Sequence, residues 1–225
     1  MDNLIEVYEN ILPKEFCEYI IKTYEDNKEL QYPGRVGSGN VVHKVKKSTD
    51  ANLLHLLDKV PGLKPQILAG IRQSLDQSLV KYFKKYNPTG DPGFLEALEK
   101  TDEDLLNFIR SRYSFFTRGI PMQKYDKQDG GYHAYHEDNG WSEVDISRVL
   151  VCMFYLNDVK EGGETEFLHQ KYKVSPTQGS LVIFPAYFTH LHKGHIPISN
   201  DKYILNVWLL KHNAAYWRMW YSKNG

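Results

Sequence analysis

Apolar residues in the first half of the chain recur at helical spacing. Pro13 can open a helix that runs to about Asn27, with Phe16, Ile20, Ile21 and Tyr24 on one face. Pro65 opens a longer one, in which Ile67, Ile71, Leu75, Leu79 and Phe83 return every four residues. Such a stripe is made to pack on something rather than to stand free. Shorter helices are expected over residues 50–60 and 94–108. Between the first two helical segments, residues 32–47 are Gly-containing and basic, with Arg35, Lys44, Lys46 and Lys47. This stretch reads either as a solvated loop or edge strand, or as a mobile flap over a site. It lacks the Gly-Lys-Ser/Thr ending of a phosphate-binding loop.

From residue 111 the texture changes to short strand candidates: 123–125, 132–136, 147–156, 180–184 and 202–210. Gly130-Gly131, Gly162-Gly163 and Gln178-Gly179 punctuate them, the rhythm of a sandwich or jelly roll rather than of alternating βαβ units. The expected fold class is α+β. A helical support region over about residues 1–110 buttresses a β core over about residues 111–212, the whole forming one domain.

Composition narrows the options. Lys+Arg and Asp+Glu both number 28, so no long-range field gathers phosphates, and nucleic acid is a poor first candidate for a partner. Cys17 and Cys152 are too few for a disulfide framework and lie in apolar patterns, as core residues do. No stretch approaches the roughly 18 apolar residues that cross a bilayer, and the start lacks a secretory signature. The expectation is a soluble, cytoplasmic protein. The 16 Tyr, 10 Phe and 4 Trp concentrate after residue 110 and reinforce the β assignment there.

The chemistry-bearing residues lie in that second half. His136-Glu137-Asp138 puts an imidazole and a carboxylate two residues apart, which on a strand points both to one face. A second histidine source follows at His190, His192 and His195, so two imidazoles and a carboxylate can converge as a facial triad with open coordination positions, a set suited to Fe(II) oxygen chemistry. Lys202 opens the apolar strand Tyr203-Ile204-Leu205-Asn206-Val207-Trp208. A lysine there is costly unless an anion pairs with it. A dicarboxylate co-substrate supplies one.

Taken together, His136-x-Asp138, His192-x-Gly194 and Lys202 ten residues after His192 resemble the prolyl 4-hydroxylase-like branch of the 2-oxoglutarate/Fe(II) dioxygenases. Arg148-Val149-Leu150 leading to Tyr155-Leu156-Asn157-Asp158, then Gly162-Gly163-Glu164-Thr165, and Gly179 to Pro185 before the distal histidine extend the likeness over about residues 123–210. The resemblance implies a double-stranded β-helix with Fe(II) held by His136, Asp138 and His192. It also implies 2-oxoglutarate reaching Lys202, and ascorbate as a candidate accessory cofactor. Register favours His192, since His190 stretches the interval to the lysine to twelve residues and His195 shortens it to seven.

Further co-substrate contacts are expected from Tyr125, with Tyr132 as its rival, and from Thr165 and Asn206. Tyr125 lies eleven residues before His136, where the family usually places a tyrosine some nine before, and the proline common before the metal histidine in collagen-type enzymes is missing. Arg148, Trp141 and Trp208 are the candidates for the prime substrate. Glu164 and Glu166 read as solvated turn charges. The implied activity is hydroxylation of a peptidyl side chain or a free amino acid. The alternatives are a nucleic-acid dealkylating oxygenase of the same superfamily, a non-catalytic jelly-roll binding module, and a zinc hydrolase with no use for the lysine.

Overall fold

The computed structural model describes residues 3–37, 39–87, 89–115, 119–140, 142 and 145–212. The helical face read around Pro13 becomes α1 (Lys14–Asp26), which buries Cys17, Ile20, Thr23 and Tyr24. The four-residue stripe becomes α3 (Lys64–Tyr86), with Pro65 in its first turn and Lys84 and Lys85 in its last, where they complement the helix dipole. Asn87 ends it in the left-handed conformation, φ 42°.

Two helix expectations need correction. The segment at 94–108 is two helices, α4 (Pro92–Leu98) and α5 (Asp102–Arg112). Thr101 begins the second with a reciprocal capping box to Asp104, which satisfies orphan N–H groups and forces the break. The segment at 50–60 opens as a strand, β4 (Thr49–Asn52), and only α2 (Leu53–Leu57) is helical. Asn52 caps α2 by accepting from the Leu54 N–H. Sheet pairing on both sides overrides the weak helical pattern of these few residues.

Every strand pair is antiparallel. β1 (Glu6–Tyr8), β2 (Tyr32–Pro33) and β4 join β5 (Tyr113–Ser114), β6 (Pro121–Tyr125), β8 (Arg148–Tyr155), β11 (Leu181–Pro185) and β13 (Lys202–Lys211) in a large sheet ordered β1-β11-β8-β13-β6-β4-β2, with β5 on β13. β3 (Lys46–Lys47), β7 (Gly131–His136), β9 (Thr165–Phe167), β10 (Tyr172–Val174) and β12 (His192–Gly194) form the smaller one, ordered β10-β9-β12-β7-β3. The jelly-roll sandwich with helices behind it is thus present. The first 110 residues, however, are more than helical support, because they supply an edge to each sheet.

The central strands of the large sheet are apolar on both faces. Leu150, Cys152, Phe154, Leu181, Ile183, Leu205, Val207 and Leu209 meet the helices in one core. Val151, Met153, Tyr155, Val182, Phe184 and Ile204 meet Phe167 and Val174 of the small sheet in the other. Both cysteines are buried and free. Among the described residues, no helix is long and apolar enough to cross a membrane.

Candidate active site

β7 ends at His136 and β12 begins at His192, and these two residues face each other across the antiparallel pair. Asp138 lies just past β7, its N–H donating to the Ala186 carbonyl at 3.0 Å. Ligand-capable atoms of His136, Asp138 and His192 all fall within 4.8 Å of one another. Each imidazole engages a backbone carbonyl through Nδ1, His136 with Ala134 at 3.2 Å and His192 with His190 at 3.0 Å. Both Nε2 lone pairs are thereby directed to the centre, the tautomer a divalent metal requires.

Burial, then the neighbouring His192, pushes the His136 imidazole down to about 3 and keeps it neutral. Burial alone raises the Asp138 carboxyl. The contact with His192 Nε2 at 3.4 Å, with His136 and Arg148 close by, outweighs it and holds Asp138 well below the usual carboxylate range. Two imidazoles and an ionised carboxylate fit Fe(II).

His190 does not join this centre. Its Nε2 meets the Asn3 carbonyl at 2.9 Å and its Nδ1 the Thr189 hydroxyl at 3.0 Å, so both ring nitrogens are engaged elsewhere. His195 pairs with Glu166. That also corrects Glu166 itself, which is no free turn charge but lies on β9 beside His195, Lys193 and Lys173.

The triad opens into a cavity of about 680 Å³. Lys202 reaches it from the start of β13 and is only 2% exposed. Its ammonium donates to the Gly163 carbonyl at 2.9 Å and sits 4.8 Å from the centre of the Tyr125 ring. Among the described residues it has no carboxylate partner within ion-pair distance. Burial, partly offset by Glu164, pushes it down to about 8. Gly163 turns its carbonyl inward with φ +75°, and a Cβ at Gly194 would stand 3.4 Å from the ammonium. The His-x-Gly spacing therefore leaves room for a ligand at Lys202. An unpaired, fully buried cation in a cavity suits the far carboxylate of 2-oxoglutarate.

The remaining predicted residues divide. Thr165, Asn206, Trp208 and Arg148 line the cavity. The Thr165 hydroxyl lies 2.7 Å from that of Tyr155. Tyr125 lines the cavity too, but its hydroxyl donates to Gln123 at 2.9 Å. Tyr132 stacks on His136 with ring centroids 3.5 Å apart. Arg148 donates to the Asp138 carbonyl at 2.8 Å, pairs with Asp145 and lies 4.0 Å over the Trp208 ring. Trp141 falls outside the described residues.

The basic stretch proves to be part of the cavity wall through Tyr32, Arg35, Val36, Gly37 and Lys46. Lys46 and Asp50 form an ion pair of 2.7 Å in which both side chains are under 10% exposed. Sequence reasoning missed this pair, together with Ser48 and Gln123. The usable signal was slight: a lysine and an aspartate four apart in a segment that reads as loop and helix.

Residues 120–210, which carry the triad and the lysine, match the model of the 2OG-Fe(II) oxygenase superfamily. Over these residues the chain is similar to that superfamily. The superfamily's description states the metal and the co-substrate that the donor set fits. A curated relative, prolyl 4-hydroxylase 13 of Arabidopsis thaliana, is 26% identical over 66% of this chain, and the chain spans 62% of that protein's length. The viral collagen prolyl hydroxylase of Paramecium Bursaria Chlorella virus-1 has TM-score 0.56 at 18% identity, covering 93% of this chain and 97% of its own. A Trichoplax adhaerens prolyl hydroxylase, solved with a hypoxia inducible factor peptide fragment, has TM-score 0.62 at 15% identity, covering 92% and 84%. At those identities the solved structures establish the fold.

Proposed function

We propose that this chain is an Fe(II)- and 2-oxoglutarate-dependent hydroxylase acting on a peptidyl side chain, with proline the first candidate. His136, Asp138 and His192 hold the metal in this reading, and Lys202 pairs with the far carboxylate of the co-substrate. The observation that carries it is the convergence, on one cavity, of a triad of two imidazoles and an ionised carboxylate with a buried lysine that has no carboxylate partner among the described residues. When bound, iron, 2-oxoglutarate and oxygen supply the conversion of a C–H bond to C–OH, with 2-oxoglutarate leaving as succinate and carbon dioxide.

The chain's own residues do the positioning. Nδ1 contacts of both histidines fix the ring planes, and Arg148 holds the backbone of Asp138 through its carbonyl. Gly163 and Tyr125 steer the Lys202 ammonium. Phe184 and Ile204, on the wall facing the triad, keep that end apolar.

A cavity of about 680 Å³ has room for a side chain beside the co-substrate. Similarity to prolyl 4-hydroxylase 13 and to the fold of one peptide-bound prolyl hydroxylase favours a peptide over a free amino acid. A net charge of zero supplies no long-range field to gather phosphates and weighs against a dealkylating role on nucleic acid.

The test is succinate formation by purified protein supplied with Fe(II), 2-oxoglutarate and ascorbate, challenged with proline-containing peptides, free proline and alkylated single-stranded DNA. Stimulation by peptides with mass gain of one oxygen is the expected result. Stimulation only by the nucleic acid overturns the peptide assignment. Absence of any 2-oxoglutarate turnover overturns the enzymatic one.

A further inference from the structure

The two metal-facing imidazoles are held in different ways. His192 engages the His190 carbonyl at 3.0 Å and packs against two phenylalanine rings, Phe184 with centroids 4.8 Å apart and Phe167 at 5.8 Å. The Nδ1 contact of His136 with the Ala134 carbonyl is 3.2 Å, the long end of the hydrogen-bond range. A single long contact at one edge lets a ring rock about it. Keeping Nε2 on the centre therefore calls for a restraint on the face of the imidazole as well.

Tyr132 supplies that face. Its ring lies on the His136 imidazole with centroids 3.5 Å apart and 7° between the planes. Among the described residues, the one other ring beside His136 is the opposing ligand His192, at 4.3 Å and tilted by 49°. His136 thus has one flat neighbour where His192 has two phenylalanines.

Tyr132 is itself fixed. Its backbone pairs with Gly194 of β12 and with Lys46 of β3. The Lys46 ammonium stands 5.9 Å from the centre of the Tyr132 ring, within reach of a cation–π attraction, and Asp50 holds it there at 2.7 Å. Desolvating a buried ion pair costs about what the pairing returns, so this one says little about stability. It does tie β4 of the large sheet to the ring that covers a metal-facing imidazole in the small one.

We propose that Tyr132 is a positioning residue for the metal, its ring acting as the plate that keeps the His136 imidazole aimed at the centre. Tyr132 then leaves the co-substrate contacts, where it was the rival of Tyr125. The role rests on the reading of His136, Asp138 and His192 as metal ligands. The two candidate roles use different parts of one side chain: a plate needs the flat ring, and a co-substrate contact needs the hydroxyl.

The experiment is equilibrium titration of the metal-free protein with Co(II) alone, read by ligand-field absorption, in wild type and three variants. Tyr132→Phe keeps the ring and drops the hydroxyl. Tyr132→Met and Tyr132→Leu fill the space without a flat face, and thermal unfolding confirms that each is folded. Both non-planar variants should weaken Co(II) binding about tenfold to a hundredfold, the scale of losing an outer partner of a metal ligand, and shift the absorption bands. Tyr132→Phe should restore both affinity and bands.

Wild-type Co(II) affinity in the non-planar variants overturns the proposal, and so does a Tyr132→Phe protein that binds as weakly as they do. Unchanged affinity in all three, with a raised KM for 2-oxoglutarate in Tyr132→Phe, returns the residue to the co-substrate. Loss of the folded state in both non-planar variants makes the ring part of the structural core and overturns it as well. A wild-type protein that binds no Co(II) sinks the metal reading itself, whereas failure of the plate leaves that reading standing.

Discussion

Strand β13 presents two different walls. Tyr203, Leu205, Val207 and Leu209 point to the helices and are buried in a continuous apolar core. Lys202, Ile204, Asn206 and Trp208 point to the cavity, where a cation, an amide and an indole N–H interrupt the apolar surface. The same backbone carries both, so the contrast comes from side chains alone. The helix face is satisfied within the protein. The cavity face holds a buried cation that has no carboxylate partner among the described residues, so its charge contributes most when an anionic ligand arrives. Substitutions on the first face should be read in stability, and those on the second in binding and turnover.

The largest effect tests the cavity side. Asp138→Ala and His192→Ala each lose 2-oxoglutarate turnover altogether while the thermal midpoint stays within a few degrees, a shift of about 1 kcal/mol or less. Unfolding of both variants at the wild-type assay temperature would show that the triad belongs to the structural core instead.

Next is Lys202→Ala. Loss of a desolvated ion-pair partner costs about 3–5 kcal/mol, which at about 1.4 kcal/mol per decade raises KM for 2-oxoglutarate by on the order of a hundredfold to a thousandfold. Measured iron affinity should not follow. An unchanged KM would return Lys202 to a purely structural role.

On the opposite face of the same strand, Leu205→Ala should cost about 2–5 kcal/mol in denaturant unfolding. The KM for co-substrate of the folded fraction should stay close to wild type. A rise in KM without loss of stability would erase the distinction between the two walls.

A milder probe is pH. Burial pushes Lys202 down to about 8, so the ammonium is charged below that value and loses its proton above it. Co-substrate KM is therefore flat below about pH 8 and rises by up to about tenfold per unit above it. A binding partner that is itself anionic moves the break upward, never downward. A KM that falls with rising pH would exclude a lysine anchor.

The smallest effect is expected for His190→Ala, which removes hydrogen bonds to the Asn3 carbonyl and the Thr189 hydroxyl and costs about 1–2 kcal/mol of stability. Equilibrium titration should find iron binding intact. Metal loss in this variant, with retention in His192→Ala, would invert the register of β12.

What was legible in the sequence was whatever depends on neighbours along the chain. Two-residue spacing put His136 beside Asp138 and Lys202 in line with Asn206 and Trp208, because side chains alternate along any extended strand. Four-residue spacing made the stripe of α3, and glycine pairs marked the turns. The boundary inside 94–108 was also local, since Thr101 and Asp104 form a capping box three residues apart, but the apolar pattern across it masked the break.

Only the tertiary structure decided contacts that depend on sheet register. Pairing of β12 with β7 set His192 opposite His136 and left His190 facing Asn3. Pairing of β4 with β6 set Asp50 opposite Gln123, converting a segment with a weak helical pattern into part of the cavity wall. Hydrogen bonds between distant strands pair any two extended segments, and their register is chosen by the summed packing of both faces. No short window of sequence contains that sum.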